Sequence, residues 1–208
     1  MGLWPTTGFW QTDEESYTAP AGVPALDTLM AALDAKDRYT ASHCRRVSVL
    51  AHVLAVRLDL GPIGVRTVVL AALYHDIGKI AIMNSVLNKP GALTEDERSV
   101  IAAHPTVGGE LMEGLLVANR AAWVIKQHHE SWDGSGYPMG LTGQEILPES
   151  RILRVCDVYD ALISDRPYRP AYSPLEATSM VEAGIGTEFE PDVGEVFLEF
   201  TSRLRIAA

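Results

Sequence analysis

Two short stretches of the 208-residue chain place metal-ligand residue types side by side: His75-Asp76, followed by Gly78-Lys79, and His128-His129-Glu130. A neutral imidazole next to a carboxylate is a ready pair of ligands for a divalent ion. Alone, a His-Asp doublet also occurs as a solvated pair on a helix surface. Here the preceding run Val68-Val69-Leu70-Ala71-Ala72-Leu73 is apolar nearly all round, so the doublet ends a buried helix. Burying an ionised aspartate requires a cation. His128-His129 close another predicted helix, the end at which a cationic or metal-bound histidine is favoured. His43 and His104 also fall at predicted helix ends, whereas His52 lies off its helix's apolar stripe and reads as solvated.

Collected, the candidate ligands are His43, His75, Asp76, His104, His128, His129 and Asp157. One four- to six-coordinate ion has no use for that many protein ligands, whereas a pair of ions about 3.5–4 Å apart does. Asp76 is the candidate bridge. Imidazole and carboxylate suit Fe, Mn, Ni or Zn rather than Cu(I) or a cluster. Cys44 and Cys156 have no CxxC spacing and read as small buried core residues.

The elements that must position these residues are helical. Ala, Leu and Val abound, strand-like alternation is almost absent, and 208 residues with 47% hydrophobic content suit one all-α bundle. Helices are expected over 24–36, 42–58, from Pro62 through His75-Asp76 to about Gly78, over 108–116, 119–127 and 149–163, and from Pro191 onward. Thr94 with Glu97 and Ser173 with Glu176 are capping boxes, the first opening a helix that runs to His104-Pro105. Residues 83–93 have the composition of a loop with room for one helical turn, placed to act as a lid. The stretch Trp132 to Gly140 is a glycine-punctuated loop. Gly134 and Gly136 either let backbone approach a ligand or simply serve a turn-rich connector. Asp157 and Asp160 sit three apart in an otherwise apolar helix and need a partner. Residues 1–21, with Trp4, Trp10 and Asp13-Glu14-Glu15, lack helical period and read as a loose arm or linker remnant, leaving 22–208 as the domain.

A net charge of -10, from 17 Lys and Arg against 27 Asp and Glu, argues against a nucleic-acid polymer as partner. A phosphate substrate would need positive charge concentrated locally. No apolar run reaches the roughly 18 residues a membrane span requires. The N-terminus lacks the pattern of a signal peptide, so the expected location is a reducing cytoplasm.

His75-Asp76 with Gly78-Lys79, then His128-His129-Glu130, then Asp133-Gly134-Ser135-Gly136-Tyr137-Pro138 resemble the HD-GYP family, in the family's order, and the likeness extends from Lys36-Asp37 to Glu188-Phe189-Glu190-Pro191. The resemblance implies an all-α HD-domain bundle with a dinuclear or trinuclear metal centre and hydrolysis of cyclic di-GMP to linear pGpG or GMP. It also implies that Lys79, Tyr137, Arg166 and Arg169 hold the dinucleotide and that Asp160 supports that site. Glu190 stands where the family usually has Asp, and Tyr39 stands where some members carry a metal-binding Glu. Since tyrosine offers no charge at neutral pH, a dinuclear centre of Fe or Mn is expected, with Ni and Zn also admissible. The expected chemistry is in-line attack by a metal-bridging hydroxide, with His75, Asp76 and Lys79 at the reacting centre. The competing readings are a non-catalytic cyclic di-GMP sensor or scaffold of the same fold, docking other cyclic di-GMP signalling proteins, and a nucleotide phosphohydrolase of the wider HD class. The last explains the His-Asp doublet but not Gly136-Tyr137-Pro138.

Overall fold

Leu, Ala and Val recur at three- and four-residue intervals between proline and glycine stops, and each such run becomes a helix. The computed structural model describes residues 24–114, 119–165 and 170–206. In chain order come α1 (Pro24–Lys36), α2 (Arg38–Arg57), α3 (Gly61–Tyr74), a 3-10 turn (Ile77–Ala81), α4 (Asn84–Leu87), α5 (Glu95–Ala102), α6 (His104–Glu113) and α7 (Asn119–Gln127). A second 3-10 turn (Gly143–Glu145) precedes α8 (Pro148–Ile163), α9 (Pro174–Ala183) and α10 (Pro191–Ile206). Among the described residues there is no strand, only an isolated bridge between Ile185 and Phe189. The expected all-α bundle therefore forms, and among the described residues no helix is long and apolar enough to cross a membrane.

The central helix is α2, packed against α1, α3, α8 and α10. Asp37 caps it, its carboxylate accepting from Tyr39 N at 3.0 Å and from the Thr40 hydroxyl at 2.7 Å. Val47, Leu50, Ala51, Leu54 and Ala55 carry its buried stripe, and full burial of a leucine such as Leu54 is worth about 2 kcal/mol. The stripe faces Val68, Ala71 and Ala72 of α3 and Ile152, Val155 and Cys156 of α8 within one core. Meanwhile α6 packs on α7 and on the 3-10 turn at Ile77–Ala81. Both predicted capping boxes are present at Thr94 and Ser173. The segment after Ile82 contains the single expected helical turn, α4.

Three helix ends differ from expectation, the first being that α2 begins at Arg38, not Ser42. Helix α3 stops at Tyr74, not near Gly78, and His75 and Asp76 lie just beyond it. Gly78 instead crosses α6 so closely that a Cβ there would sit 2.0 Å from the His104 carbonyl oxygen and 2.7 Å from Gly108 N. His104 does not end α5 but opens α6, with Pro105 in the first turn, where its missing N–H costs nothing. His52 is half-buried rather than solvated. The arm of residues 1–21, with Trp4 and Trp10, and the end of the helix expected over 108–116 lie outside the described residues.

Candidate metal centre

Three helices, α3, α5 and α7, are each followed at once or after one residue by a histidine. The last carbonyls of a helix have no amide partner, and each ring takes one: His75 Nδ1 donates to Ala72 O (2.8 Å), His104 Nδ1 to Ile101 O (2.7 Å) and His128 Nδ1 to Ile125 O (2.6 Å). That contact puts the proton on Nδ1 and turns the Nε2 lone pair away from the helix, the arrangement a metal-ligating histidine needs. His104 Nε2 lies 3.3 Å from His128 Nε2 and 3.2 Å from Asp76 Oδ1. His75 Nε2 lies 3.6 Å from Asp76 Oδ2 and 3.7 Å from Asp157 Oδ1, is buried, and has no hydrogen-bond partner. Two imidazole lone pairs facing each other and a third left unpartnered are satisfied together only by positive charge between them. The residues therefore fit divalent ions.

The seven expected ligands all come together. His129 lies with its ring 4.0 Å from that of His128 and 5.1 Å from that of His104. His43, in the second turn of α2, meets Asp157 Oδ1 through Nε2 at 2.9 Å. The ligand atoms of His104, His128 and His129 lie within 4.8 Å of one another, as do those of His43, His75 and Asp157. Asp76 stands between these two half-sites, one oxygen toward each.

Charge differs across the pair. Burial would raise the carboxyl of Asp76, but Lys79, His75 and His104 hold it well below the usual carboxylate range. Burial likewise opposes ionisation of Asp157, which His43 and His75 outweigh. His43 is pulled down by burial yet reaches about 9, because Asp157 and Asp160 both hold its proton. Burial and then neighbouring imidazoles push His128 well below its ordinary value, and burial takes His129 to about 3. At neutral pH His43 and His75 are thus protonated, while His128 and His129 are neutral.

Lys79 reaches the centre through Asp76, its Nζ 2.7 Å from Oδ2. Tyr137 stacks on His129 with ring centroids 4.8 Å apart, and burial pushes its phenol up to about 12, so it stays protonated. Asp160 is not at a substrate face. It is fully buried, one oxygen takes His43 Nδ1 at 2.7 Å, and Arg46 binds both oxygens at 2.8 Å, so it orients His43 from behind. Arg166 and Arg169 lie outside the described residues. The glycine loop is also explained by packing: a Cβ on Gly136 would sit 2.3 Å from Ser131 N and 2.5 Å from the His129 carbonyl. Buried Glu130 ties the loop down, accepting from Met139 N (2.7 Å) and Leu141 N (3.0 Å). Tyr39 is 38% exposed, so it is neither a core tyrosine nor packed into the centre. Glu190 spends its carboxylate on buried Arg151 at 2.8 Å rather than capping α10.

Sequence reasoning missed Arg46, Arg154 and Cys44. Arg46 follows His43 by three positions on the same helix, a spacing that marks it as a partner for the acids His43 meets. Arg154 precedes Asp157 by three and places Nη1 2.9 Å from His129 Nδ1 and Nη2 2.6 Å from Glu188 Oε1. Its position inside an apolar helix was a signal of the same kind as Asp157 and Asp160. Cys44 has its sulfur within 4.8 Å of ligand atoms of His75 and Asp76.

Comparison with known proteins agrees with this geometry. The HD domain family model matches residues 27–193, and the chain belongs to the HD domain family. Within it the chain is an HD-GYP protein. A cyclic di-GMP phosphodiesterase response regulator, RpfG of Xanthomonas campestris pv. campestris, is 42% identical over 183 residues, covering 86% of this chain and 48% of that protein. The 3'3'-cGAMP-specific phosphodiesterase 3 of Vibrio cholerae is 37% identical over 160 residues, covering 77% of this chain and 35% of the relative. The chain therefore spans half or less of the length of these curated relatives. Among solved structures, the cyclic GMP-AMP specific phosphodiesterase V-cGAP3 of V. cholerae superposes with a TM-score of 0.65 at 21% identity, covering 88% of this chain and 49% of that one. That likeness bears on the fold.

Proposed function

We propose that the chain is a phosphodiesterase that hydrolyses cyclic di-GMP to linear pGpG or GMP, using two divalent ions held by His43, His75, Asp76, His104, His128, His129 and Asp157. The observation that carries the proposal is the pair of half-sites joined by Asp76, with the Nε2 atoms of His75, His104 and His128 turned inward. Fe or Mn fits these donors best, and Ni or Zn fits them as well. Bound there, paired ions would acidify a water and polarise the phosphoryl oxygens. The chain's own residues supply the rest. Asp160, itself clamped by Arg46, fixes the His43 ring. Lys79 holds Asp76 and offers its ammonium, partly exposed, to a phosphoryl oxygen. Tyr137 presents a neutral hydroxyl and an aromatic face beside His129 for a guanine, and Arg166 and Arg169 take the phosphate or guanine edge. The functional unit is residues 22–208, with 1–21 an arm, working in the cytoplasm alongside other cyclic di-GMP signalling proteins.

The test is product analysis. Protein loaded anaerobically with Fe or Mn is incubated with cyclic di-GMP, 3'3'-cGAMP and nucleoside triphosphates, and products are followed chromatographically together with metal content. Cleavage of cyclic di-GMP with about two metals per chain is expected. Tight binding of cyclic di-GMP by metal-loaded protein without product would select the sensor reading. Hydrolysis of triphosphates alone would select a phosphohydrolase of the wider HD class. The relative specific for 3'3'-cGAMP favours a second reading, in which the hybrid dinucleotide is cleaved faster.

The charge asymmetry sets a pH dependence. Protons and metal compete for the Nε2 atoms of His43 and His75, both raised to about 9, so affinity at the His43, His75 and Asp157 half-site should fall by up to roughly a hundredfold per pH unit as pH drops below about 9. The half-site of His104, His128 and His129 lacks this dependence at His128 and His129, which are neutral already. For metal-free protein the sign reverses: the raised His43 value contributes stability that is complete below about 6.5 and lost as pH rises through about 9. Chelator competition titrations and melting curves at pH 6.5 to 9.5 measure both, and a pH-independent melting temperature of metal-free protein would contradict the assignment.

A further inference from the structure

We propose that Cys44 is a sulfur ligand of the metal centre, binding the ion held by His75 and Asp76, and that it tilts the centre toward Zn, Fe(II) or Co(II) and away from Mn; this rests on the metal centre proposed above. The two cysteines of the chain form an internal comparison. Both are free, both have no exposed surface, and each adjoins a residue of the centre, Cys44 next to His43 and Cys156 next to Asp157. Burial in apolar surroundings is the lasting condition of Cys156 and pushes its thiol well up. Cys44 differs in what it faces. Its sulfur and the ligand atoms of His75 and Asp76 all lie within 4.8 Å of one another, within a small inward movement of the reach of one ion whose metal–sulfur and metal–nitrogen bonds are about 2.3 and 2.0–2.1 Å long.

The second observation is independent of the sulfur. His75 is 1% exposed, its Nδ1 is committed to Ala72 O, and its Nε2 has no hydrogen-bond partner. A buried ring nitrogen left without a hydrogen-bond partner is the group that a cation at this point would satisfy. Asp76 Oδ2, 3.6 Å from it, supplies negative charge, and the Cys44 sulfur lies within 4.8 Å of ligand atoms of both residues. When an ion binds there, the sulfur–metal bond forms as the S–H proton leaves to solvent. A thiolate among nitrogen and oxygen ligands favours softer ions, and Mn is the hardest of the candidates.

Cobalt reports the sulfur directly. The full chain, made metal-free and titrated anaerobically with Co(II), should develop visible d–d bands and, with them, a near-ultraviolet sulfur-to-cobalt charge-transfer band. The charge-transfer band should vanish in Cys44→Ser, which keeps the side-chain size, while the d–d bands persist; it should remain in Cys156→Ser. In competition between Zn and Mn, Cys44→Ser should lower the preference for Zn by at least about tenfold, the smallest effect expected even of groups behind a ligand. Wild-type protein that shows d–d bands without the charge-transfer band, or a band lost in Cys156→Ser but kept in Cys44→Ser, would overturn the sulfur assignment and leave the nitrogen–oxygen centre standing. Failure of wild-type protein to bind cobalt at all would overturn the centre itself and this inference with it.

Discussion

Asp76→Ala is expected to lower cyclic di-GMP turnover by at least about 10³-fold and to leave the chain with no more than one tightly held ion, exceeding the roughly 10–100-fold losses produced by changes behind a metal ligand. The reason is position. Among the described carboxylates Asp76 reaches both half-sites, with Oδ1 3.2 Å from His104 Nε2 and Oδ2 3.6 Å from His75 Nε2, and it also anchors Lys79. Removing it separates the half-sites, brings paired cations together without a shared anion, and leaves the Lys79 ammonium without its carboxylate partner. The fold should survive, since the core is built from apolar stripes to which the carboxylate does not belong. Metal analysis, circular dichroism and steady-state turnover on the same preparation decide it: a helical protein with two metals and undiminished activity would refute the bridging role.

Gly78→Ala should destabilise the protein by about 3 kcal/mol or more, toward the upper end of overpacking effects, because the added methyl meets backbone rather than a movable side chain. The distances are 2.0 Å to the His104 carbonyl oxygen and 2.7 Å to Gly108 N. At roughly 2–4 °C per kcal/mol for a domain of this size, the melting temperature should drop by about 6–12 °C. Activity should fall too, since relief of the clash moves the 3-10 turn off α6 and pulls Asp76 from His104. Gly114→Ala is the control, with open space around its Cβ position and an ordinary helical backbone, and it should change stability by no more than about 0.5 kcal/mol. Equal melting temperatures for the two variants would show that the crossing at Gly78 yields without cost.

The cluster of histidines and acids was legible in the sequence for a physical reason. Histidines at helix ends stand out against apolar runs, and helix ends are where free carbonyls can take a ring N–H, so His75, His104 and His128 betray their orientation by their position. Asp157 and Asp160 stood out as acids in an apolar helix, but which of them touches the centre depends on α2 packing across α8, a contact between residues 114 to 117 apart that no local pattern encodes. Cys44 was indistinguishable from a core residue, because burial beside Val47 and burial beside a metal look alike in a helical stripe. The helix boundary at His104 was misplaced for a similar reason: a histidine followed by proline can end a helix or begin one, and the crossing at Gly78 is what settles it.

The two half-sites are not equally easy to assemble as the chain is made. His104 and His128 are 24 residues apart, whereas His43 and Asp157 are 114 apart. Short loops close at lower entropic cost than long ones. During synthesis from the N-terminus, the bridging aspartate and the His104, His128 and His129 trio are complete once residue 129 has emerged, while His43 and His75 wait for α8 to bring Asp157. On the proposed two-ion centre, a nascent chain would take its first ion while the second position is still open. The metal available in the cell at the moment of translation would then decide what fills the first position, and exchange later would have to work against a closed bundle.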